Sequence, residues 1–212
     1  MQLLSTLQPV HVVYFAWCRS NAPELRSGIR NLYPTPEAGD AVIVMIMGVS
    51  GSGKTTLGVE LARRLGWTLL DCDDLHPQAN IEKMRRGFPL DDADRAPWLN
   101  IIAQKLRDLS RSRASAVVAC SALKRAYRHK LISGCSDLLL VYLRVQRQDT
   151  ERRLLDRRGH FMPVQLLESQ FATLEEPTAE ELSVALDAQA PLEKNVCIAL
   201  EAISNRLGEG AI

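Results

Sequence analysis

Gly48-Val49-Ser50-Gly51-Ser52-Gly53-Lys54-Thr55 fills every position of the pattern G-x-x-x-x-G-K-[ST]. The octet follows the apolar run Ala41–Met47 and leads into the helical segment Thr55–Leu65. A strand before such a loop and a helix after it let consecutive backbone N–H groups converge on a phosphate, aided by the positive end of the helix dipole. The expected nucleotide-binding residues are therefore Gly48, Val49, Ser50, Gly51, Ser52, Gly53, Lys54, Thr55 and Thr56. Lys54 is expected to reach the β- and γ-phosphate oxygens, and the Thr55 hydroxyl to hold Mg²⁺. The loop predicts binding of a nucleoside triphosphate and leaves ATP or GTP open.

With 212 residues, 46% of them hydrophobic, the chain suits one compact domain with a full core. Twenty-six basic against 25 acidic side chains give a net charge of +1, which carries no electrostatic footprint for nucleic acid or membrane. The 5 cysteines are odd in number and lack C-x-x-C spacing, which predicts reduced thiols in a reducing compartment. No run reaches the roughly 18 apolar residues of a membrane span, so the cytoplasm is the expected location.

Residues 1–40 differ from the rest. Met1–Cys18 is largely apolar without the basic start of a secretory signal, and Pro23, Gly28, Pro34, Pro36 and Gly39 punctuate Asn21–Asp40 as a linker. No acidic residue precedes Glu24, while Arg19, Arg26 and Arg30 come after the apolar stretch. Two readings stand here: an organelle-targeting peptide, or an extension dispensable to the domain at 41–212.

From Ala41 onward, apolar runs alternate with helical patterns. Strands are expected at Ala41–Met47, Trp67–Asp71, Ala116–Cys120, Leu138–Leu143 and Ser183–Asp187. Leu99, Ile102, Leu106 and Leu109 recur at helical spacing behind Pro97, predicting a helix over Trp98–Ser110, and a last helix is expected from Pro191. Gly66 and Gly134 stand where helix ends favour a left-handed residue. Strands that are almost wholly apolar, alternating with helices, predict an α/β fold: a five-stranded parallel sheet between two helical layers. In such sheets chemistry gathers at the carboxyl ends of the strands. Strand one delivers the phosphate loop, strand two Asp71-Cys72-Asp73-Asp74, strand three Cys120-Ser121 and strand four Arg144. P-loop enzymes commonly carry a metal-supporting aspartate after the third strand. Here the carboxylates come after strand two instead, as is typical of small-molecule kinases of the shikimate-kinase type.

Three further stretches carry a specific resemblance: LLDCDDLHPQANIEKMRRGFPLDDADRAPWL (69–99), VVACSALKRAYR (117–128) and RRGHFMPVQLLESQFATLEEP (157–177). Together with the phosphate loop they resemble the gluconokinase family, over essentially all of residues 43–205. The resemblance implies the reaction ATP + D-gluconate → ADP + 6-phospho-D-gluconate, an entry to the pentose phosphate pathway. It also implies ATP over GTP, an adenylate-kinase-like fold with a short helical lid, and a tendency to form a homodimer. The departures are the extension at 1–40 and Ala126 within the LKxxYR block.

Within this frame the side chains can be given tasks. Asp71 and Asp73 are two residues apart, so on extended backbone both carboxylates point to one side. Asp71 is expected to support the metal through water and Asp73 to act as base or orienter for the acceptor hydroxyl; helix capping falls to Asp74. His76 is a candidate polyol contact, with Pro77 as a helix start. A carboxylate substrate demands a cation, for which Lys124 ranks first and Arg128 and Arg95 come next. Arg152, Arg153, Arg157 and Arg158, broken by Gly159, read as a lid that brings positive charge to the γ-phosphate. Arg157 is assigned to catalysis and Arg153 to the nucleotide, with His160 unassigned between structure and site. The loop Ala188–Pro191 is the expected contact for the base.

Overall fold

The computed structural model describes residues 41–135, 137–156, 164–181 and 183–209. The expectations for residues 1–40, Arg157, Arg158 and His160 lie outside the described residues.

Five strands form one parallel sheet in the order β2-β3-β1-β4-β5: β1 Ile43–Met47, β2 Thr68–Asp71, β3 Ala116–Ala119, β4 Leu138–Arg144 and β5 Ser183–Asp187. The register sets Ile43 opposite Ala116 on one side and Leu138 on the other, which makes β1 the central strand. The described helices divide around it: α1 Lys54–Leu65, α2 Gln78–Arg85, α3 Asp92–Arg111, α4 Arg125–Ile132, α5 Arg147–Asp156, α6 Val164–Thr173 and α7 Leu192–Glu209. Short 3₁₀ turns span Cys72–Leu75 and Ala179–Glu181.

Alternation along the strands splits the core into two layers. Val44 and Ile46 pack toward Leu57 and Leu61 of α1 and Val196, Leu200 and Ile203 of α7. Ile43, Met45 and Met47 face the other way, toward Trp98, Ile102 and Leu106 of α3 and Leu131 of α4. The expected α/β/α sandwich is thus the observed one. Gly66 ends α1 at φ 71 with its N–H on the Ala62 carbonyl, a left-handed cap that a side chain would strain. Arg64, only 7% exposed at its side chain, bridges Glu60 on its own helix and Glu193 at the start of α7, each at 2.6 Å. Hydrogen bonds and charge from Arg63 and Arg64 hold the Glu60 carboxyl down at about 2.

One boundary is displaced by more than two residues. The helix expected to begin behind Pro97 begins at Asp92, and Pro97 lies inside it. The cause is a capping box: Asp91 accepts from the Asp94 N–H at 2.9 Å, and the Asp94 carboxylate accepts from the Asp91 N–H at 2.8 Å. Two otherwise orphaned donors are satisfied, which fixes the first turn before the proline is reached.

Candidate active site

The buried strand β1 leads into Gly48, whose backbone turns the chain out of the sheet at φ 148. A Cβ there would lie 2.9 Å from the Leu143 carbonyl oxygen and 2.9 Å from the Ser52 hydroxyl, so only glycine passes this point. The Gly48 N–H donates across to the Ser121 carbonyl at 3.4 Å, joining the loop to the end of β3. Lys54 opens α1, is buried, and its Nζ donates to the Val49 carbonyl at 3.1 Å. The loop therefore curls around its own lysine while its later N–H groups lead into a helix N-terminus.

Thr55 Oγ1 donates to Asp71 Oδ2 at 2.9 Å. A hydroxyl at the head of α1 and a carboxylate at the end of β2 are thus brought together, as the sequence expects of a metal-supporting pair. These are hard oxygen donors adjoining a phosphate loop, and the pair fits Mg²⁺, which binds through one or two protein oxygens and keeps several waters. Among the described residues no cluster of three or more His, Cys, Asp or Glu side chains forms a metal cage.

The geometry of the strand-two carboxylates differs from the extended-backbone argument. Asp71 closes β2, but Asp73 belongs to the 3₁₀ turn, and Asp71 Oδ1 accepts the Asp73 N–H at 3.1 Å. The capping expected of Asp74 is done by Asp71. Both Asp71 and Asp73 nevertheless line one cavity of about 690 Å³ that opens beside the phosphate loop. The turn replaces the pleat as the reason they share a side.

His76 lines the same cavity. Its ring stacks on Trp98, with centroids 4.3 Å apart and planes 9° from parallel, and its Nδ1 lies 3.4 Å from the Asn80 amide nitrogen. Trp98 in turn donates Nε1–H to the Cys72 carbonyl at 2.7 Å, pinning α3 to the turn that carries Asp73. Burial lowers the His76 pKa; the negative charge of Asp73 pulls the other way, and Arg95 adds to the lowering. Pro77 precedes α2 as its cap residue.

The three cations considered for an anionic substrate separate clearly. Arg95 lines the cavity from the first turn of α3, its guanidinium 5.8 Å from the Tyr127 ring centroid and 3.4 Å from the Tyr127 hydroxyl. Lys124 is absent from that lining and is held by Asp92, with Nζ at 2.7 and 2.8 Å from the two carboxylate oxygens. Lys124 and the Tyr127 hydroxyl, a second donor to Asp92, keep the Asp92 carboxyl below its ordinary range. Arg128 corrects the sequence reading outright. It is 0% exposed and spends its guanidinium inside the fold, on Glu181 and on the carbonyls of Ala122, Leu123 and Glu175. Arg128 lies one helical turn beyond Lys124, on a face of α4 that is turned into the core.

A second cavity of about 400 Å³ lies on the other side of the phosphate loop, and Gly51 and Gly53 line both. Arg153 of α5 lines this second cavity, donating to the Ala188 carbonyl at 2.6 Å and standing 3.5 Å from that of Ser52. Ala188 and Ala190, from the loop expected to meet the base, line it as well. Sequence reasoning missed Trp98 and Tyr127 as site residues, taking their blocks only as family signature, and missed Gln170. The Gln170 amide grips Ser50 of the phosphate loop from a helix 120 residues away, a pairing with no local signal.

A phosphate loop forming the shared wall of two cavities, with carboxylates on strand two, defines a small-molecule P-loop kinase. A family profile described as an AAA domain matches residues 43–177. The gluconokinase of Gluconobacter oxydans (strain 621H) is 49% identical over 138 residues, covering 65% of this chain and 78% of that protein. The thermoresistant gluconokinase of Escherichia coli (strain K12) is 43% identical, covering 77% and 94%. The crystal structure of a gluconokinase from Sinorhizobium meliloti 1021 superposes with a TM-score of 0.72 at 40% identity, covering 84% of this chain and 99% of that one. The chain belongs to the gluconokinase family.

Proposed function

We propose that the chain transfers the γ-phosphoryl group of ATP to the 6-hydroxyl of D-gluconate, giving 6-phospho-D-gluconate and ADP. The observation that carries this reading is the phosphate loop standing between two cavities. The smaller is lined by Leu143, Ala190, Leu192 and Asn195 beside the phosphate loop, suited to a nucleoside, and the larger holds Asp73, His76 and Arg95, suited to a polyhydroxy acid. The names of relatives at 42–49% identity support the choice of acceptor.

In this reading Lys54 and the loop N–H groups hold the β- and γ-phosphates. Asp73 orients the acceptor hydroxyl and takes its proton as the new P–O bond forms, while the bond to ADP breaks. Phosphoryl transfer depends mainly on positioning and charge neutralisation, so a well-placed carboxylate suffices. Arg95, whose planar fork matches a carboxylate, receives the acid end of the substrate in place of Lys124. His76, neutral and stacked, offers a ring nitrogen to the polyol. Thr55, with Asp71 through water, would hold Mg²⁺, which when bound supplies neutralising charge at the phosphates. Arg153 contributes at the nucleotide side.

The same proposal includes a homodimer, to be read by sedimentation, and a reducing cytoplasmic setting, which suits Cys72, Cys120, Cys135 and Cys197, all outside any disulfide. Among the described residues no helix is long and apolar enough to cross a membrane. The direct test couples ADP release to a panel of D-gluconate, shikimate, AMP and no acceptor under Mg-ATP. Turnover with D-gluconate alone is expected; background rates with D-gluconate would overturn the assignment.

A further inference from the structure

Gln170 stands in the last turn of α6, which ends at Thr173. Its side-chain amide meets Ser50 twice: Oε1 accepts the Ser50 backbone N–H at 2.7 Å, and Nε2 donates to the Ser50 hydroxyl at 2.9 Å. Both residues are half-buried, and both line the larger cavity together with Ser169 and Leu166 of the same helix. The contact thus lies on the acceptor side of the phosphate loop, next to Gly51, which borders both cavities.

The helix is held from its far end. Two residues beyond it, the Glu175 N–H donates to the Leu123 carbonyl at 2.9 Å, and the Glu175 carboxylate accepts the Arg125 N–H at 2.6 Å. Arg128 donates to the Glu175 carbonyl at 2.8 Å from its buried position. The backbone just past α6 is therefore fixed to the end of β3, and Gln170 approaches Ser50 from an anchored base. Only a primary amide of this length offers one acceptor and one donor to the two Ser50 groups. A carboxylate would accept but not donate, and would set negative charge beside the phosphoryl oxygens.

We infer that Gln170 is a positioning residue that locks the third residue of the phosphate loop to α6 and closes the acceptor side of the loop against water. The inference rests on the kinase reading but not on which acceptor is used. Its chemical content is the choice between two nucleophiles at the γ-phosphorus. In productive transfer the acceptor hydroxyl oxygen forms the new P–O bond as the bond to ADP breaks. If the wall opens, a water oxygen forms that bond instead, giving ADP, inorganic phosphate and a proton. Exclusion of this side reaction is one of the tasks of a closed phosphoryl-transfer site.

The test uses the full chain and two variants, Gln170→Ala, which loses both bonds, and Ser50→Ala, which loses the hydroxyl bond and keeps the backbone one, together with the double variant. Two rates are measured under Mg-ATP: inorganic phosphate release without acceptor, and ADP release with D-gluconate. Acceptor-free phosphate release is expected to rise severalfold in Gln170→Ala. The gluconate-dependent kcat should fall by about tenfold to a hundredfold, as misplacement of a reacting group predicts, with KM for ATP little changed. Ser50→Ala should move both rates in the same direction, and the double variant should be no worse than Gln170→Ala, because the two side chains act as one unit. Acceptor-free phosphate release unchanged from wild type in both folded single variants would overturn the inference. That arm decides the matter whatever D-gluconate does, so failure of the acceptor assignment and failure of this one are read separately.

Discussion

Arg128 and Glu181 form a two-point ion pair inside the protein, Nε to Oε1 at 2.6 Å and Nη2 to Oε2 at 2.9 Å, with side chains 0% and 4% exposed. Nη1 donates to three backbone carbonyls, so the buried charge is paired and further hydrogen-bonded. The hydrogen bonds from Arg128 also hold the Glu181 carboxyl below its ordinary range. Removing one partner leaves the other buried alone, at a typical cost of about 3–5 kcal/mol. Arg128→Met should therefore lower the thermal midpoint markedly, while the fraction that stays folded keeps the gluconate KM of the wild type. A raised KM with unaltered stability would return Arg128 to the substrate site.

Arg95 and Lys124 exchange the ranks that strand-end position gives them. Arg95→Ala should raise the gluconate KM by about tenfold to a hundredfold with a smaller change in kcat, the mark of a contact made in both ground and transition state. Lys124→Ala removes an ion pair that is well exposed at Asp92 and should shift KM by less than about threefold. Steady-state kinetics of the two variants at saturating ATP check this; the reverse order of effects would restore Lys124.

The strand-two carboxylates should separate by readout. Asp73→Asn keeps size and removes the charge that draws the acceptor proton, so kcat should fall by about 10²–10⁴-fold with nucleotide affinity intact by calorimetry. Asp71→Asn keeps an oxygen for the Asp73 N–H, so the turn survives, but weakens the partner of Thr55. Its expected signature is a higher Mg²⁺ requirement. An Asp71→Asn enzyme with normal Mg²⁺ dependence and no turnover would exchange the two roles.

His76 predicts an acid-side loss of stability. With its folded-state pKa lowered by burial, the imidazole stays neutral in the fold at pH values where the unfolded chain already binds a proton. Above about pH 6.5 both states are neutral and the residue contributes no pH dependence; below it, stability falls as pH falls. His76→Phe keeps a ring against Trp98 and cannot titrate. Its thermal midpoint should drop less than that of wild type between about pH 7.5 and about pH 5.5, and equal drops would refute the assignment.

The fold was legible wherever the signal was local. Ser183–Asp187 is found with the boundaries its composition predicts, and the phosphate loop announces its own strand and helix. The start of α3 was missed because Pro97 is a louder signal than a reciprocal pair of aspartates six and three residues ahead of it. In the site, Thr55 and Asp71 could be paired because Asp71 closes a strand, Thr55 follows the loop that leaves another, and strand ends meet. Arg128 could not be placed, because its partner Glu181 lies 53 residues away on a 3₁₀ turn that no periodicity marks. Gln170 failed to register for the same reason: an uncharged side chain in an amphipathic helix shows its task only against the loop it grips.

The Arg64 bridge has a consequence for the nucleotide side. It ties α1, which begins at the phosphate loop, to the first turn of α7, which begins just past the loop Ala188–Pro191. The two ends of the smaller cavity are thereby mounted on one braced frame, and their separation behaves as a fixed gauge. With Glu60 ionised down to about pH 2, protonation of that carboxylate does not loosen the brace near neutrality. Ligands of different length between base and phosphate then meet a cavity whose two ends are joined by an ion pair rather than left to move separately.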